Sequence, residues 1–419
     1  MISSVFSVLF VSLLLVGLLV EFWLGSRQIR HVLRHKEQVP EQFAAKITLA
    51  SHQKAAAYTI AKKKFYLIYQ LSSACILVGF TFFGGLQFLA NELFKLAEHG
   101  MLYQLSLIAA YCVITSILDL PFEYYRHFVL EKDFGFNKMT RRLFVIDLVK
   151  NTGLFVALVL PLFWAVLTLM EKAGEFWWLY AWVVTVFFFI FVMLISPTVI
   201  APLFNKFWPL ENADVKEKIE NLSKRVDFPL RGIFVMDGSI RSSHGNAYFS
   251  GFGKTKRVVF YDTLLERLQP NEIEAVLAHE FGHFKLKHIF KSLLVATILL
   301  IPVMALLAYL KSQIWFYTGL GVDPLLMTNN DAMAIILLML SLPVFTFIFS
   351  PLGGITSRKH EFEADAFAAK HTNANDLITA LVKMYDDNSS TLTPDPLHSA
   401  FYDSHPSASV RINHLLAAQ

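Results

Sequence analysis

The chain has 419 residues, 55% of them hydrophobic, with 39 phenylalanines and a mean hydropathy of +0.49. A water-soluble globular domain carries a more polar balance, so the composition excludes that class and indicates a polytopic membrane protein. The net charge is only +4, and the two cysteines, Cys75 and Cys112, sit in apolar stretches, which points to neither a disulfide framework nor a cysteine metal site.

Apolar windows long enough to cross about 30 Å of hydrocarbon fall at roughly 4–24, 67–90, 102–121, 153–170, 177–196, 289–310 and 332–353, which predicts seven spans. The first has no Lys or Arg before it, unlike a cleavable signal, and is expected to stay as a membrane span. The windows 102–121 and 177–196 run into Pro121 and Pro197, which leaves a re-entrant or buried helix open for each. Arg27, Arg30, Arg34, Lys36, Lys46, Lys54 and Lys62 to Lys64 lie between spans one and two. Arg126, Lys132, Lys138, Arg141, Arg142 and Lys150 lie between three and four, and the 197–288 segment is basic as well. The alternate connections carry only Lys95, Lys172 and Lys311, so the positive-inside rule places the basic set and the C-terminal segment 354–419 in the cytoplasm.

The 197–288 segment reads as a soluble insert. Val215 to Val226 is expected as a surface helix; 232–237 and 257–261 read as strands, with 247–249 as a further candidate. Gly251 to Lys254 lacks the spacing of a phosphate-binding loop and reads as a turn. No repeat or nucleic-acid motif occurs, and the basic loops are accounted for by topology and anionic membrane lipid.

The insert ends in His279-Glu280-Phe281-Gly282-His283. Histidines four residues apart share one face of a helix and can bind one zinc ion, while Glu280 is placed to take a proton from the water beside it. Pro270 and Asn271 mark the start of that helix, with Asn271 able to cap and Glu272 and Glu274 in its first turn. A catalytic zinc needs a third protein ligand. Beyond span seven, Glu361 and Asp365 share a helical face in Ser357 to Lys370: Glu361 suits the zinc, and Asp365 suits the spare N–H of a zinc-bound histidine. Spans six and seven form a hairpin, so their cytoplasmic ends bring His279, His283 and Glu361 together. Glu363 points about 160° from Glu361 and reads as a surface charge; His288 lies about 140° around the helix from His283 and reads as structural or substrate-facing. His405 and Arg411 are polar groups able to reach the site or to be plain surface residues, and Glu21, Asp119 and Glu123 are candidates because they lie in or near spans.

Leu120 to Tyr125, Gly135 to Thr140, Ser242 to Phe249, the His279 helix, Ser357 to Ala368 and His405-Pro406 together give the chain its resemblance to the seven-span zinc CAAX prenyl endopeptidases, the membrane gluzincins. The resemblance implies a mainly α, polytopic fold: seven transmembrane helices enclosing a chamber, and a cytoplasmic gluzincin-like protease domain with a small β-sheet. It divides the chain into an N-terminal five-span membrane domain, 1–207, and a zinc metallopeptidase domain, 208–419, that includes spans six and seven. It implies one Zn²⁺ per chain on His279, His283 and Glu361, Glu280 as catalytic base and Asp365 as assisting acid. Asn246, His405 and Arg411 would hold the peptide, and the substrate would be a protein or peptide, prenylated or not, cut to release the C-terminal tripeptide. The sequence ends at Gln419 without a lysine-rich tail, which favours a bacterial inner-membrane protein over one of the endoplasmic reticulum. The other readings are a quality-control metalloprotease of the membrane, a transporter or receptor with a vestigial zinc helix, and a structural zinc protein; the last lacks a fourth ligand.

Overall fold

The computed structural model describes residues 1–97, 100–250, 256–326 and 330–417. The turn expected at Gly251 to Lys254 lies outside them. The membrane part begins with α1 (Ile2–His35), continues through α2 (Leu49–Phe80) and α3 (Gly85–Ala97), and goes on to α4 (Met101–Glu131), α5 (Arg141–Lys172) and α6 (Gly174–Phe204). Both windows left open in the sequence, in α4 and α6, are full-length apolar helices. The expected second span is not one straight helix. α2 starts well before residue 67, ends at Phe80 and meets α3 at a 53° bend. The break has a local cause: Gly84 takes φ +75°, and at Gly85 a Cβ would stand 2.8 Å from the Gly79 carbonyl oxygen, so two glycines hold a turn that other residues strain.

The soluble insert follows, with β1 (Phe207–Pro209), α7 (Ala213–Arg225), β2 (Gly232–Met236), β3 (Ala247–Ser250) and β4 (Arg257–Tyr261). The sheet order is β1-β2-β4-β3, with β2 and β4 parallel and both outer strands antiparallel to their neighbours. The sequence reading missed β1, a three-residue strand containing Trp208 and Pro209; Pro is tolerated there because the strand is at an edge. α7 buries Val215, Ile219 and Leu222 at helical spacing against this sheet's core and turns its Lys and Glu outward.

Next come α8 (Pro270–Lys285), which carries His279 and His283, and α9 (His288–Leu310). The expected cap at Asn271 is one turn detail off. Pro270 occupies the first helical position, and Gln269 precedes it, its backbone N–H donating to Glu272 Oε2 at 2.7 Å. α10 (Asp331–His371) is a single 41-residue helix with a short 3₁₀ turn at Phe347–Phe349, so span seven runs straight into the segment bearing Glu361. The chain closes with α11 (Ala374–Asp387), α12 (Pro396–Tyr402) and α13 (Ala408–Ala417). Among the described residues six helices are long and apolar enough to cross a membrane, and the bent pair α2–α3 makes seven. Two cores result. One joins the spans through residues such as Phe10, Leu107, Leu167 and Leu337; the other joins the sheet, α7, α8 and α11.

α8 is pinned on two sides. Phe281, wholly buried, packs its ring 4.4 Å from Phe228 and 5.1 Å from Phe249 of β3, which ties the helix to the sheet. On the opposite side Gly282 lies against α10, where a Cβ would stand 3.0 Å from Ala364 Cα and 3.1 Å from Phe367 Cβ. Gly282→Val should therefore push α8 off α10 and cost about 1–3 kcal/mol, read as a lower thermal midpoint of the purified protein in detergent. A midpoint equal to that of the parent chain would refute this account of the crossing.

Candidate metal centre

The α8–α10 crossing gathers three of the expected residues at one point. His279 Nε2 and His283 Nε2 are 3.1 Å apart, His283 Nε2 is 3.3 Å from Glu361 Oε1, and His279 Nε2 is 3.5 Å from Glu361 Oε2. These atoms form a set close enough to share one ion. Bonds of about 2.0–2.1 Å in a tetrahedron separate ligand atoms by roughly 3.3 Å, which matches the three spacings. A second observation agrees: Glu361 Oε2 is buried and accepts no hydrogen bond. The Arg411 guanidinium stands 3.5 Å from this oxygen without hydrogen-bonding to it, which leaves the oxygen a lone pair that a bound cation would complete. The donor set, two imidazoles and one carboxylate, suits zinc.

Which imidazole nitrogen is free is decided by carboxylates further out. Asp365, fully buried, receives His279 Nδ1 at 2.8 Å, so the proton of that ring sits on Nδ1 and the Nε2 lone pair faces the centre. His283 is fixed through a longer chain. Its Nδ1 is 3.0 Å from His288 Nδ1, and His288 Nε2 is 2.9 Å from Glu363 Oε2. The ionised carboxylate can only accept, so His288 carries its proton on Nε2 and offers its Nδ1 lone pair to the N–H of His283. That again leaves the Nε2 lone pair of His283 for the centre.

Glu363 thus departs from the surface-charge reading, and the reason lies in the backbone. Lys287 takes φ +59° and ends α8, so His288 does not continue the helical wheel on which it was placed 140° from His283. His288, His360 and Glu363 also lie close enough to suggest a second ion. The His288 and His360 rings stack 4.0 Å apart and 8° from parallel, however, so their in-plane lone pairs do not converge. This trio reads as a hydrogen-bonded support.

Arg411 donates from Nε and Nη2 to Asp365 at 2.9 and 2.6 Å, and its Nη1 is 3.5 Å from Glu361 Oε2. It is only 7% exposed. Expected among the peptide-holding groups, it pairs with the two acids of the centre. His405 Nε2 lies 3.4 Å from Glu361 Oε1 with most of its ring in the open. Asn246 is exposed at the head of β3; its side-chain oxygen accepts from the Ala247 N–H and its carbonyl from the Tyr261 N–H. Glu280 is half-buried beside His279, and burial pushes its carboxyl above the ordinary carboxylate range, which makes it the stronger base. Of the other acids singled out, Glu21 accepts from Gln70 at 2.7 Å within the membrane part, and Glu123 pairs with Arg126.

A paired-histidine helix completed by a glutamate from a neighbouring helix, carried on a bundle of membrane spans, defines the class of integral-membrane zinc metallopeptidases. Comparison with known proteins narrows it. Residues 209–419 match the model of peptidase family M48, and residues 28–206 match the CAAX prenyl protease N-terminal model, described as five membrane helices. The CAAX prenyl protease 1 homolog of Arabidopsis thaliana is 36% identical over 88% of either chain. CAAX prenyl protease 1 of Saccharomyces cerevisiae is 34% identical, over 94% of this chain and 92% of its own. The crystal structure of S. mikatae Ste24p superposes with a TM-score of 0.91 at 31% identity, covering 98% of this chain and 99% of that one. The chain belongs to peptidase family M48 and is a multi-pass membrane zinc metalloendopeptidase. The expected fold class, family and enzyme class are borne out, and the transporter and structural-zinc readings fall away.

Because His279 depends on one buried carboxylate and His283 on a two-step chain, Asp365→Asn and His288→Ala should each weaken zinc binding by about 10- to 100-fold. Competition against a calibrated chelator measures this. Affinities unchanged in both variants would show that the outer hydrogen bonds do not set the ligand tautomers.

Proposed function

We propose that this chain removes the C-terminal tripeptide of prenylated CAAX proteins, with residues 1–207 as membrane domain and 208–419 as metallopeptidase domain. The single observation that carries this reading is end-to-end similarity: the relatives named as CAAX prenyl proteases are matched over about nine-tenths of their length. The Lys and Arg distribution supports a cytoplasmic-side site, in contact with protein or peptide substrate and surrounded by membrane lipid, with no role for nucleic acid.

In this reading His279, His283 and Glu361 hold one Zn²⁺ per chain. The ion supplies Lewis-acid polarisation of the scissile carbonyl and a lowered water pKa. Glu280 takes the proton of the attacking water on its carboxylate and passes it to the nitrogen of the departing peptide, so the acid form is regenerated as base in each cycle. Asp365 and Arg411 act through His279 and Glu361, holding them in place. His405, exposed beside Glu361, donates to the substrate carbonyl oxygen as it gains charge. Asn246 and the outer edge of β3 align the peptide as an added strand, whose main-chain hydrogen bonds tolerate varied side chains.

The test is cleavage of a farnesylated CAAX peptide by the purified chain. Glu280→Gln should lower kcat by about 10²- to 10⁴-fold while zinc content stays at the parent level. Activity within tenfold of the parent would overturn the base assignment, and an inactive, zinc-replete parent would overturn the substrate.

A further inference from the structure

A cavity of about 540 Å³ lined by many polar side chains opens beside the candidate metal centre, and His405 belongs to both: it lines the cavity while its Nε2 stands 3.4 Å from Glu361. The middle of α2 supplies Lys62, Lys63 and Tyr66 to its wall, and α12 supplies His398 and Tyr402. Lys63 Nζ stands 4.9 Å from the ring of Tyr66 and 5.1 Å from that of Tyr402, an aromatic frame that holds the ammonium in the cavity. Lys62 Nζ stands over Tyr58 at 4.7 Å.

The wall also holds polar groups with nothing to bond to. His398 is only 5% exposed, and among the described residues neither of its ring nitrogens has a hydrogen-bond partner. The Tyr402 hydroxyl is buried and unpartnered as well. Burial, with the neighbouring Lys63 charge, holds the His398 pKa down to about 4, so at neutral pH it has one N–H to donate. Unsatisfied buried donors are costly and mark a place for an acceptor. The cavity has one carboxylate, Asp403, engaged by the Ser399 hydroxyl at 2.6 Å. Glu21 and Glu131, the further acids that act on Lys63 and Lys62, lie outside the lining, so the unbonded His398 and Tyr402 groups beside two ammonium groups suit a small anion with hydrogen-bond acceptors.

A peptide substrate carries one such group at a fixed place, its C-terminal carboxylate. Three extended residues span about 10 Å, so a cut three residues from the end brings that carboxylate within a short reach of the metal. We propose that this cavity binds the free C-terminal carboxylate of the substrate through Lys63, His398 and Tyr402, with Lys62 adding to the field; this rests on the tripeptide-releasing function proposed above. The site then works as a ruler. Anchoring the end of the peptide sets which bond lies over the metal, so cleavage position is measured from the terminus while side chains between are read loosely.

The test compares a farnesylated CAAX peptide ending in a free carboxylate with the same peptide as its C-terminal amide, using full-length zinc-loaded protein. A charge-assisted anchor predicts a KM about 10- to 100-fold lower for the acid with similar kcat. Lys63→Met should reduce that acid-over-amide ratio to about threefold or less, and Lys63→Arg should keep most of it. Tyr402→Phe removes only the hydroxyl, serves if Lys63→Met loses zinc or unfolds, and should lower the ratio by about threefold to tenfold. Equal KM for acid and amide in the parent chain would overturn the carboxylate site and leave the proposed function standing. A full acid preference in Lys63→Met that retains zinc, or in Tyr402→Phe, would overturn the assignment of these residues. Cleavage of neither peptide by zinc-replete parent would overturn the proposed function and this site with it.

Discussion

The close approach of α8 to α10 at Gly282 and Ala364 is the contact on which the rest of the molecule depends. His279 and His283 come from one helix and Glu361 from the other, so the metal centre exists only as far as that crossing holds its distance. A larger residue at Gly282 would press on Ala364 and Phe367 and move the two ligand-bearing helices apart. The crossing is braced from outside: Phe281 against Phe228 and Phe249 on the sheet side, and α10 running back through its short 3₁₀ turn into the membrane. The two helix surfaces therefore fix the spacing of the candidate metal ligands as a packing problem before any electrostatics enters.

Charge then settles the chemistry within that frame. Burying Asp365 is tolerable because Arg411 meets it with two short hydrogen bonds and His279 with a third. The same carboxylate dictates the His279 tautomer, as Glu363 does for His283 through His288. Two outer acids thus point two inner lone pairs at one spot, while the third inner donor, Glu361 Oε2, has no hydrogen-bond donor of its own. Glu280 stays out of this hydrogen-bonded network, half-buried beside His279.

Much of this was legible in the chain because it depends on short-range periodicity. The i, i+4 pair His279 and His283, and the i, i+4 pair Glu361 and Asp365, each fix a helical face, and the hairpin of spans six and seven makes the two faces neighbours. Hydropathy and the Lys and Arg alternation gave the spans. What stayed hidden depends on breaks in periodicity. The positive φ at Lys287 returns His288 to His283, against the helical wheel, and the glycine turn at Gly84–Gly85 bends the second span. The pairing of Arg411 with Asp365 stayed hidden for another reason: nothing local joins two residues forty-six apart in the chain. β1 escaped because three residues carry too little alternation to read.

The membrane and soluble parts are consequently one device. The α9–α10 hairpin delivers ligand-bearing ends to a common face, the sheet offers an edge strand beside them, and the Lys63 cavity adjoins the same centre through His405. The most direct test is zinc X-ray absorption on the full-length protein in detergent. The account predicts a four-coordinate shell of two imidazole nitrogens and oxygen donors at about 2.0–2.1 Å, losing one imidazole in His283→Ala. A shell with three or more imidazoles, or one unchanged by His283→Ala, would contradict it.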